Sequence, residues 1–221
     1  VTGSSVESFW RSRSDIVEFP SVDFTGVSNV RFGWNTCSAM TKFNVGSLPD
    51  ATNVYNAFRS SGLTSFNTDL PLALRVDYAW NSCASLSSFG PVDIKNCTNF
   101  TSAWNSCSAL TSFPAGAKLG TSSSNAAFTN AWASSGLTSF STPLPTASNV
   151  IQAWYNCNSL QSFSSELPLA TNVSFAWYNN GSLTDFTTTD IKNCTNFTSA
   201  WKNCSALTSF PAGAKLGTEA S

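Results

Sequence analysis

An aromatic residue, an aliphatic residue and a phenylalanine recur in this order nine times along the chain. In the segment AWNSCSALTSF, residues 103 to 113, Trp104 is followed by Leu110 after six residues and by Phe113 after nine. A period of 20 to 50 residues is typical of repeat proteins, in which each unit stacks on its neighbours. The aromatic anchors, separated by 22 to 28 residues, are Trp10, Trp34, Phe58, Trp80, Trp104, Trp132, Trp154, Trp177 and Trp201.

The other two positions of the repeat are equally regular. A unit of about 24 residues cannot enclose a core by itself, so its apolar side chains must form columns that run through the stack. The aliphatic column is Ile16, Met40, Leu63, Leu86, Leu110, Leu137, Leu160, Leu183 and Leu207, and the phenylalanine column is Phe19, Phe43, Phe66, Phe89, Phe113, Phe140, Phe163, Phe186 and Phe210.

The repeat predicts a leucine-rich-repeat-like solenoid of nine coils over residues 1–221, as one domain that is part of a longer chain. Each coil is expected to contain a short parallel β-strand near its phenylalanine and a short helical or 3₁₀ turn near its anchor. The turn is predicted because a Val or Phe stands four residues before each anchor, and residues four apart share one face of a helix. Two units, those of Phe58 and Trp132, are one residue shorter and carry Gly62 and Gly136, which predicts a tighter turn there.

These residues resemble the bacterial leucine-rich repeats of the BspA type. That pattern runs alanine, aromatic, two variable residues, cysteine, two variable residues and leucine, as in Ala103, Trp104, Cys107 and Leu110. An Asn followed by Val or Phe before the anchors, such as Asn29 and Val30, is also similar to a related repeat of bacterial and phage surface proteins. The resemblance implies an extracellular location, on a cell surface or a virion surface, and attachment to other macromolecules.

A longer repetition is superimposed on the coils. Residues 93 to 121 recur at 190 to 218 with two differences, Asn105 becoming Lys202 and Ser106 becoming Asn203. This offset corresponds to four coils and indicates a duplicated block. The insert PAGAKLGTSSS, residues 114 to 124, explains the longest spacing between anchors, and its Pro, Gly and Ser content predicts a loop that bulges from one side.

Composition excludes several classes of partner. Charged residues make up only 10% of the chain, none lies between Leu119 and Ser165, and the net charge is −1. This balance offers little attraction for a phosphate backbone, so nucleic acid is not expected as a partner. No segment approaches the roughly 20 apolar residues of a membrane span. There is neither an initiating methionine nor a signal peptide, so we expect that targeting was removed or that the sequence is an excerpt.

The seven cysteines allow more than one interpretation. Five occupy one position of the coil, and Cys97 and Cys194 occupy another. They could form a column of buried thiols that pack as small apolar groups. Cys83 and Cys107, on adjacent coils, could instead form a disulfide if their Cα atoms lie within about 7 Å. Zinc is disfavoured because the chain has no histidine and no Cys-x-x-Cys pair.

Asparagine and aspartate also leave alternatives. Asn-x-Ser/Thr sequons occur seven times, and in a secretory context they would be glycosylated. The same Asn column, five residues before the anchors, could instead cap the turn through its side-chain oxygen. Asp93 and Asp190 suggest calcium only weakly, because the ion needs a denser set of oxygen ligands. We therefore predict no metal and no cofactor.

Catalysis is not expected. Without histidine, acid and base chemistry would fall to twelve Asp and Glu residues that show no recurring pair. The aromatic columns are interpreted as core and not as a sugar-stacking platform. A binding surface is expected where side chains beside each ladder phenylalanine point outward, since side chains alternate along a strand. This strand face comprises Lys42, Asn44, Ser65, Asn67, Ser112, Pro114, Ser139, Ser141, Ser162, Ser164, Asp185 and Thr187.

Two functions fit these observations. The first is a non-enzymatic adhesion or receptor-binding module of a bacterium or phage, which binds a host or cell-surface protein or glycan through many weak contacts. The second is a structural fibre, spike or coat protein whose solenoids assemble with copies of themselves. The last coil, around Trp201, Leu207 and Phe210, has no polar cap, so further repeats or another subunit are expected to cover it. An ice-binding solenoid is disfavoured because the threonines do not form a regular Thr-x-Thr column.

Overall fold

The computed structural model describes residues 3–90, 93–122, 125–187 and 190–217. They form a stack of parallel coils. One column of main-chain bridges makes the count clear, because it links a single residue of each coil to its equivalent in the next: Ser5, Asn29, Asn53, Arg75, Asn99, Ala127, Asn149, Asn172 and Asn196. The structure is therefore a parallel β-solenoid in which eight turns of the chain join nine stacked levels, which we call rungs.

The strands are only two or three residues long. They are β1 (Glu18–Phe19), β2 (Lys42–Phe43), β3 (Ser65–Phe66), β4 (Ser88–Phe89), β5 (Asp93–Ile94), β6 (Lys118–Leu119), β7 (Ala126–Ala127), β8 (Ser139–Phe140), β9 (Ala147–Asn149), β10 (Ser162–Phe163), β11 (Asp185–Phe186), β12 (Asp190–Ile191) and β13 (Lys215–Leu216). All pairings are parallel: β1 with β2, β3 with β4, β5 with β6, β7 with β9, β12 with β13, and β10 between β8 and β11.

Seven strands end on a ladder phenylalanine, as the repeat predicted. In each of them the phenylalanine is buried and the preceding residue faces outward. Phe113 is also buried, although no strand is assigned around it, whereas Phe210 of the last rung is exposed over 41% of its surface.

The helical turn predicted near each anchor is wrong, because no helix occurs in the described ranges. The residues two before and two after every anchor have positive φ, for example Phe32 at 54° and Thr36 at 58° around Trp34. An α-helix needs φ near −63° at every residue, so this alternation rules it out. The chain instead forms β-turns in which the third residue has positive φ, closed by bonds from Gly33 N–H to Val30 C=O and from Cys37 N–H to Trp34 C=O.

Every main-chain N–H from residue 30 to residue 37 has an acceptor, which explains why a backbone with repeated positive φ is stable. In the second coil the N–H groups of residues 30, 32, 34 and 36 donate to carbonyls of the next coil, and those of residues 33, 35 and 37 close the turns. The remaining N–H, of Arg31, donates to Oδ1 of Asn29 at 3.1 Å. Alternate residues thus bond between coils and within the coil, which satisfies the requirement that buried main-chain groups be paired.

The core is a set of aromatic columns. Neighbouring anchors stack with nearly parallel ring planes, with ring centroids 5.1 to 6.2 Å apart and interplanar angles of at most 8°. Each stacked ring also packs edge-on against ladder phenylalanines, as Trp104 does against Phe113 at 4.9 Å. Offset-stacked and edge-to-face geometries are the favourable arrangements for aromatic pairs, so the two columns stabilise each other.

Ser and Thr side chains connect the coils from outside the core. The hydroxyl of Thr64 donates to the carbonyl of Thr41 at 3.2 Å, and that of Ser87 donates to the carbonyl of Thr64 at 3.2 Å. Equivalent bonds from Thr138 and Thr184 reach the preceding coil at 3.1 and 3.3 Å. These hydrogen bonds between coils give the many Ser and Thr side chains of this weakly charged chain a structural role.

The insert is not only a bulging loop. Its strand β6 pairs with β5, in the register Asp93 to Lys118 and Ile94 to Leu119. Leu119 is fully buried and Ala117 nearly so, because the extra residues place an apolar pair over the core. The same pairing recurs between β12 and β13 in the duplicated block. Residues 123 and 124 of the insert lie outside the described residues.

The two short units need glycine for a reason other than turn conformation. Neither Gly62 nor Gly136 has positive φ. A Cβ atom at either position would instead overlap a carbonyl oxygen of the preceding coil, that of Ser38 or of Ser108. The deletion of one residue brings the main chains of adjacent coils so close that only glycine fits.

Candidate functional site

The strand face consists of outward side chains, as predicted. Ser65, Pro114 and Ser162 are half-buried, and the other nine residues of this face are exposed. The structure brings three of them into direct register across coils, Ser139 beside Ser162 and Ser162 beside Asp185. Lys42 lies beside Glu18, with Nζ 3.8 Å from Oε2, and Asn44 donates to the same carboxylate. Ser112 and Pro114 flank Phe113, where no strand is assigned, so the face is not one continuous sheet.

The cysteine columns are buried, and all seven thiols are free. Cys83 and Cys107 lie on adjacent coils without a bond between them. These thiols are hydrogen-bond donors in addition to packing groups, because Cys107 Sγ donates to the carbonyl of Trp80 at 3.2 Å and Cys157 Sγ to that of Trp132 at 3.1 Å. Asn180 fills the same position and donates to the carbonyl of Trp154 at 3.0 Å. The column therefore provides a donor for the anchor carbonyl of the previous coil.

Burial makes these thiols poor nucleophiles. Desolvation raises the pKa of Cys83 and of Cys157 to about 11 and that of Cys97 to about 12. The thiolate is the reactive form of cysteine, so a raised pKa suppresses both attack and metal binding. No group of three potential metal-ligating side chains occurs in the part of the chain that the structure describes.

The Asn column caps the turns. Oδ1 of Asn53, Asn99 and Asn149 each accepts the N–H two residues later, at 3.0 to 3.2 Å. The capping interpretation is confirmed, although the capped element is a β-turn and not a helix. Among the sequon residues, Asn180 is fully buried, so its amide is inaccessible to glycosylation.

The acidic residues considered for calcium lie beside lysines. Asp93 Oδ2 is 3.4 Å from Nζ of Lys95 and 3.9 Å from Nζ of Lys118, and Asp190 Oδ2 is 3.6 Å from Nζ of Lys192. Lys95 and Lys192 lie two residues along the same coil as their carboxylates, and Lys118 lies on the next coil, so both carboxylates already have lysine partners.

The sequence analysis missed a cluster of arginine and aromatic side chains in the first four rungs. Its residues occupy positions of the repeat other than the anchor. Phe32 has the guanidiniums of Arg11 and Arg31 over its ring, with Cζ 5.0 and 4.8 Å from the ring centroid. Tyr55 likewise has Arg31 and Arg75 over its ring, at 5.4 and 4.6 Å. The rings themselves meet edge-on, Phe32 with Tyr55 at 5.3 Å and Tyr55 with Tyr78 at 6.1 Å.

We call this cluster the arginine–aromatic ladder: Arg11, Arg31, Phe32, Tyr55, Arg75 and Tyr78. Its residues occupy four different positions of the repeat, so no single column of the alignment marks it. Two signals in the sequence point to it. All five arginines precede residue 76, and Phe32, Tyr55 and Tyr78 are aromatic residues outside the anchor and phenylalanine columns.

A second aromatic patch lies towards the other end of the solenoid. Tyr155 and Tyr178 stack with centroids 5.2 Å apart and an interplanar angle of 7°, and Lys202 Nζ lies 6.0 Å from the centroid of Tyr178. Both tyrosines are half-buried. This patch carries a single cation and therefore differs in charge from the arginine–aromatic ladder.

The outermost described rungs expose apolar surface. At one end Trp201 and Leu207 are half-buried while Phe210 and Leu216 are exposed. At the other end Phe9 is 72% exposed. An open cavity of about 390 Å³ lies beside Trp10, Ile16, Val17 and Phe19.

The described ranges contain no candidate for a membrane-spanning helix.

This geometry defines a repeat protein of the parallel β-solenoid class. No protein-family model matches the chain, and no curated protein matches it. Among solved structures, it is similar to a leucine-rich repeat protein from Bacteroides ovatus, with 13% sequence identity and a TM-score of 0.37 over 92% of this chain and 68% of the other. A TM-score of 0.37 is too low to establish a common fold; the bridges and parallel strand pairings within this chain define the solenoid.

Proposed function

We propose that the chain is a non-enzymatic binding module of the leucine-rich-repeat type, displayed on a bacterial cell surface or a virion surface, and that it attaches to a protein or glycan. The support comes from the repeat residues themselves, which match the BspA-type pattern, and from an exterior built of repeated outward side chains. A rigid stack that repeats the same face about every 4.8 Å suits multivalent attachment, in which many weak contacts add up.

The observation that carries this proposal is the in-register row of Ser139, Ser162 and Asp185 on the strand face. The three side chains project from a core whose columns are fully buried beneath them, so their positions are fixed by the fold. Preorganised contacts lose little conformational entropy on binding. The row is polar and carries one charge, which suits a neutral protein or glycan surface.

The experiment is a binding assay of the labelled chain on immobilised glycans and on bacterial and eukaryotic cells. The test variant is Ser139→Arg with Asp185→Arg, and the control is Asn158→Arg with Ser182→Arg, which alters exposed residues outside the strand face. We expect the test variant alone to lose attachment. Equal loss in both variants, or no attachment of the parent chain to any surface, would contradict the proposal.

A structural role is the second candidate, favoured by the exposed apolar surface of Phe210 and Leu216 on the last described rung. Phe210 corresponds to Phe113, which is covered by the rung after it, with Phe140 6.0 Å away. A further coil or a second subunit would cover Phe210 in the same way. Phe210→Glu should then abolish concentration-dependent self-association in light scattering, and a parent chain that is monomeric at all concentrations would exclude self-assembly of this sequence.

A further inference from the structure

The arginine–aromatic ladder is a cluster of cations on a molecule whose net charge is −1. Arg11, Arg31 and Arg75 are held against Phe32 and Tyr55, with each ring contacted by two guanidiniums. Stacking on an aromatic face fixes the plane of a guanidinium and does not use its N–H groups. Asp77 already binds Nε and Nη2 of Arg75 and Glu7 lies beside Nη1 of Arg31, whereas Arg11 has no carboxylate partner among the described residues. The ladder therefore presents preorganised donors and not flexible charges.

The charges on this surface do not cancel. Glu7 Oε1 is 3.5 Å from Arg31 Nη1, and Asp77 accepts from Nε and Nη2 of Arg75 at 2.8 and 2.6 Å. Arg11 and Arg59 have no ion-pair partner among the described residues. They occupy the same position of the repeat, because each directly follows the anchor of its coil. Four guanidiniums and two carboxylates leave a net charge of +2 here, although the whole chain carries −1.

The choice of arginine also matters. Every arginine of the chain lies before residue 76, and from that residue onward the cations are all lysines. A planar guanidinium binds a carboxylate through two parallel hydrogen bonds, whereas the lysine ammonium is a point charge. Arginine and tyrosine are also the residue types enriched at the energetic centres of protein interfaces.

The occupied ring faces argue against a sugar ligand or a nucleic acid base, since both would stack on free aromatic faces. Four rungs span about 14 Å, which equals four to five residues of an extended peptide. We infer that the arginine–aromatic ladder, with Arg59, is a docking site for an acidic segment of a partner protein, whose Asp or Glu carboxylates pair with the guanidiniums. This inference deepens the proposed function by naming a class of protein partner, and it uses a different surface from the strand face.

The test uses the full chain and a fluorescein-labelled hexaglutamate peptide, with hexaglutamine as the uncharged control. Fluorescence anisotropy is measured at about 20 mM and at about 150 mM salt, because exposed charge pairs weaken as the Debye length shortens. We expect saturable binding of hexaglutamate that weakens with salt, and no binding of hexaglutamine.

Two double variants distinguish binding at the arginine–aromatic ladder from a general effect of positive charge. Arg11→Gln with Arg59→Gln removes the two unpaired, exposed guanidiniums, and Lys118→Gln with Lys215→Gln removes two exposed cations at equivalent places of the duplicated block. The arginine variant should weaken binding about fivefold, as expected for two solvent-exposed charge-assisted contacts, and the lysine variant should leave it unchanged. Arg11→Lys with Arg59→Lys keeps the charge and should recover only part of the affinity.

Several results would overturn the inference. They are the absence of saturable binding, equal weakening in both glutamine variants, full recovery by lysine, and tighter binding of polygalacturonate or oligothymidylate than of hexaglutamate. All variants should melt at the parent temperature, because the substituted side chains are exposed. If hexaglutamate does not bind while the chain still attaches to cells through the strand face, this inference fails and the proposed function stands.

Discussion

At the scale of single residues, the indole nitrogens of the anchors are the least expected feature of the core. The Nε1 atoms of Trp34, Trp80, Trp104, Trp132, Trp154, Trp177 and Trp201 are buried without a hydrogen-bond partner among the described residues. An unpaired buried donor costs about 1 to 3 kcal/mol. The tryptophans therefore stabilise the core through the area of their stacked rings and not through a polar contact. Phe58, which fills one anchor position with no indole at all, is equally well buried.

This leads to a prediction for Trp104. Trp104→Ala should destabilise the fold by about 3 to 5 kcal/mol, because it opens a cavity lined by both neighbouring coils, and Phe113→Ala should cost a similar amount. Trp104→Phe should cost clearly less, about 1 to 2 kcal/mol, since it removes ring area but no hydrogen bond. Urea unfolding monitored by circular dichroism measures all three variants.

The exposed side chain of Lys118 provides the control. Lys118→Ala should change the free energy of unfolding by less than about 0.5 kcal/mol. If Trp104→Phe is as damaging as Trp104→Ala, the indole nitrogen makes a contact that the structure does not contain.

At the scale of elements, the unit of construction is a β-turn pair and not a helix, and sequence reasoning could not have distinguished the two. Burial of Val30 and Trp34, four residues apart, fits either geometry. The feature that decides is positive φ at residues such as Tyr78, Ser102 and Gln152, whose side chains give no sign of it. A non-glycine residue in this conformation costs about 1 to 2 kcal/mol, so it is adopted only because hydrogen bonds between coils require it.

Other elements were predictable because their cause is local. The strands at the ladder phenylalanines and the capping role of the Asn column follow from alternation and from side-chain reach within one coil. The pairing of the insert with the preceding coil and the arginine–aromatic ladder depend on residues brought together from different coils and different repeat positions. Only the three-dimensional stacking offset between rungs places Arg31 between Phe32 and Tyr55.

The short units give a prediction at this scale. Gly136→Ala should destabilise the protein by about 2 to 3 kcal/mol, because the added methyl group overlaps the carbonyl oxygen of Ser108 on the adjacent coil. Thermal melting is a sufficient measurement. Gly46 is the matched position, since a Cβ there meets only open space, and Gly46→Ala should melt close to the parent. Similar melting of the two alanine variants would show that the coils are not so closely spaced.

At the scale of the whole molecule, the seven buried thiols couple stability to alkaline pH. Burial raises the pKa of Cys157 from 9.0 to about 11, so the folded state keeps its proton at pH values where the unfolded chain has lost it. The stabilising effect of the protonated thiol is therefore complete below pH 9 and is lost as the pH rises through about 11. The other six thiols shift in the same direction.

The prediction concerns the pH dependence of the free energy of unfolding between pH 9 and 11. Cys157→Ser replaces the thiol by a hydroxyl that can still donate to the Trp132 carbonyl but does not titrate in this range. The variant should lose stability less steeply than the parent, by about 1.4 kcal/mol per pH unit, since this is the free energy of one proton. Denaturant titrations at three pH values measure the two slopes, and identical slopes would mean that this thiol is not desolvated in the folded state.

The duplicated block affects how recombination can change the length of the solenoid. Because β5 pairs with β6 in the same register as β12 pairs with β13, the two copies form interchangeable junctions between rungs. Unequal crossing-over between the two stretches of gene would delete or add four whole coils and leave each new interface identical to one that already folds. The molecule can therefore lengthen or shorten in steps of about 19 Å through recombination alone, with each added coil stacked through contacts that the present molecule already contains.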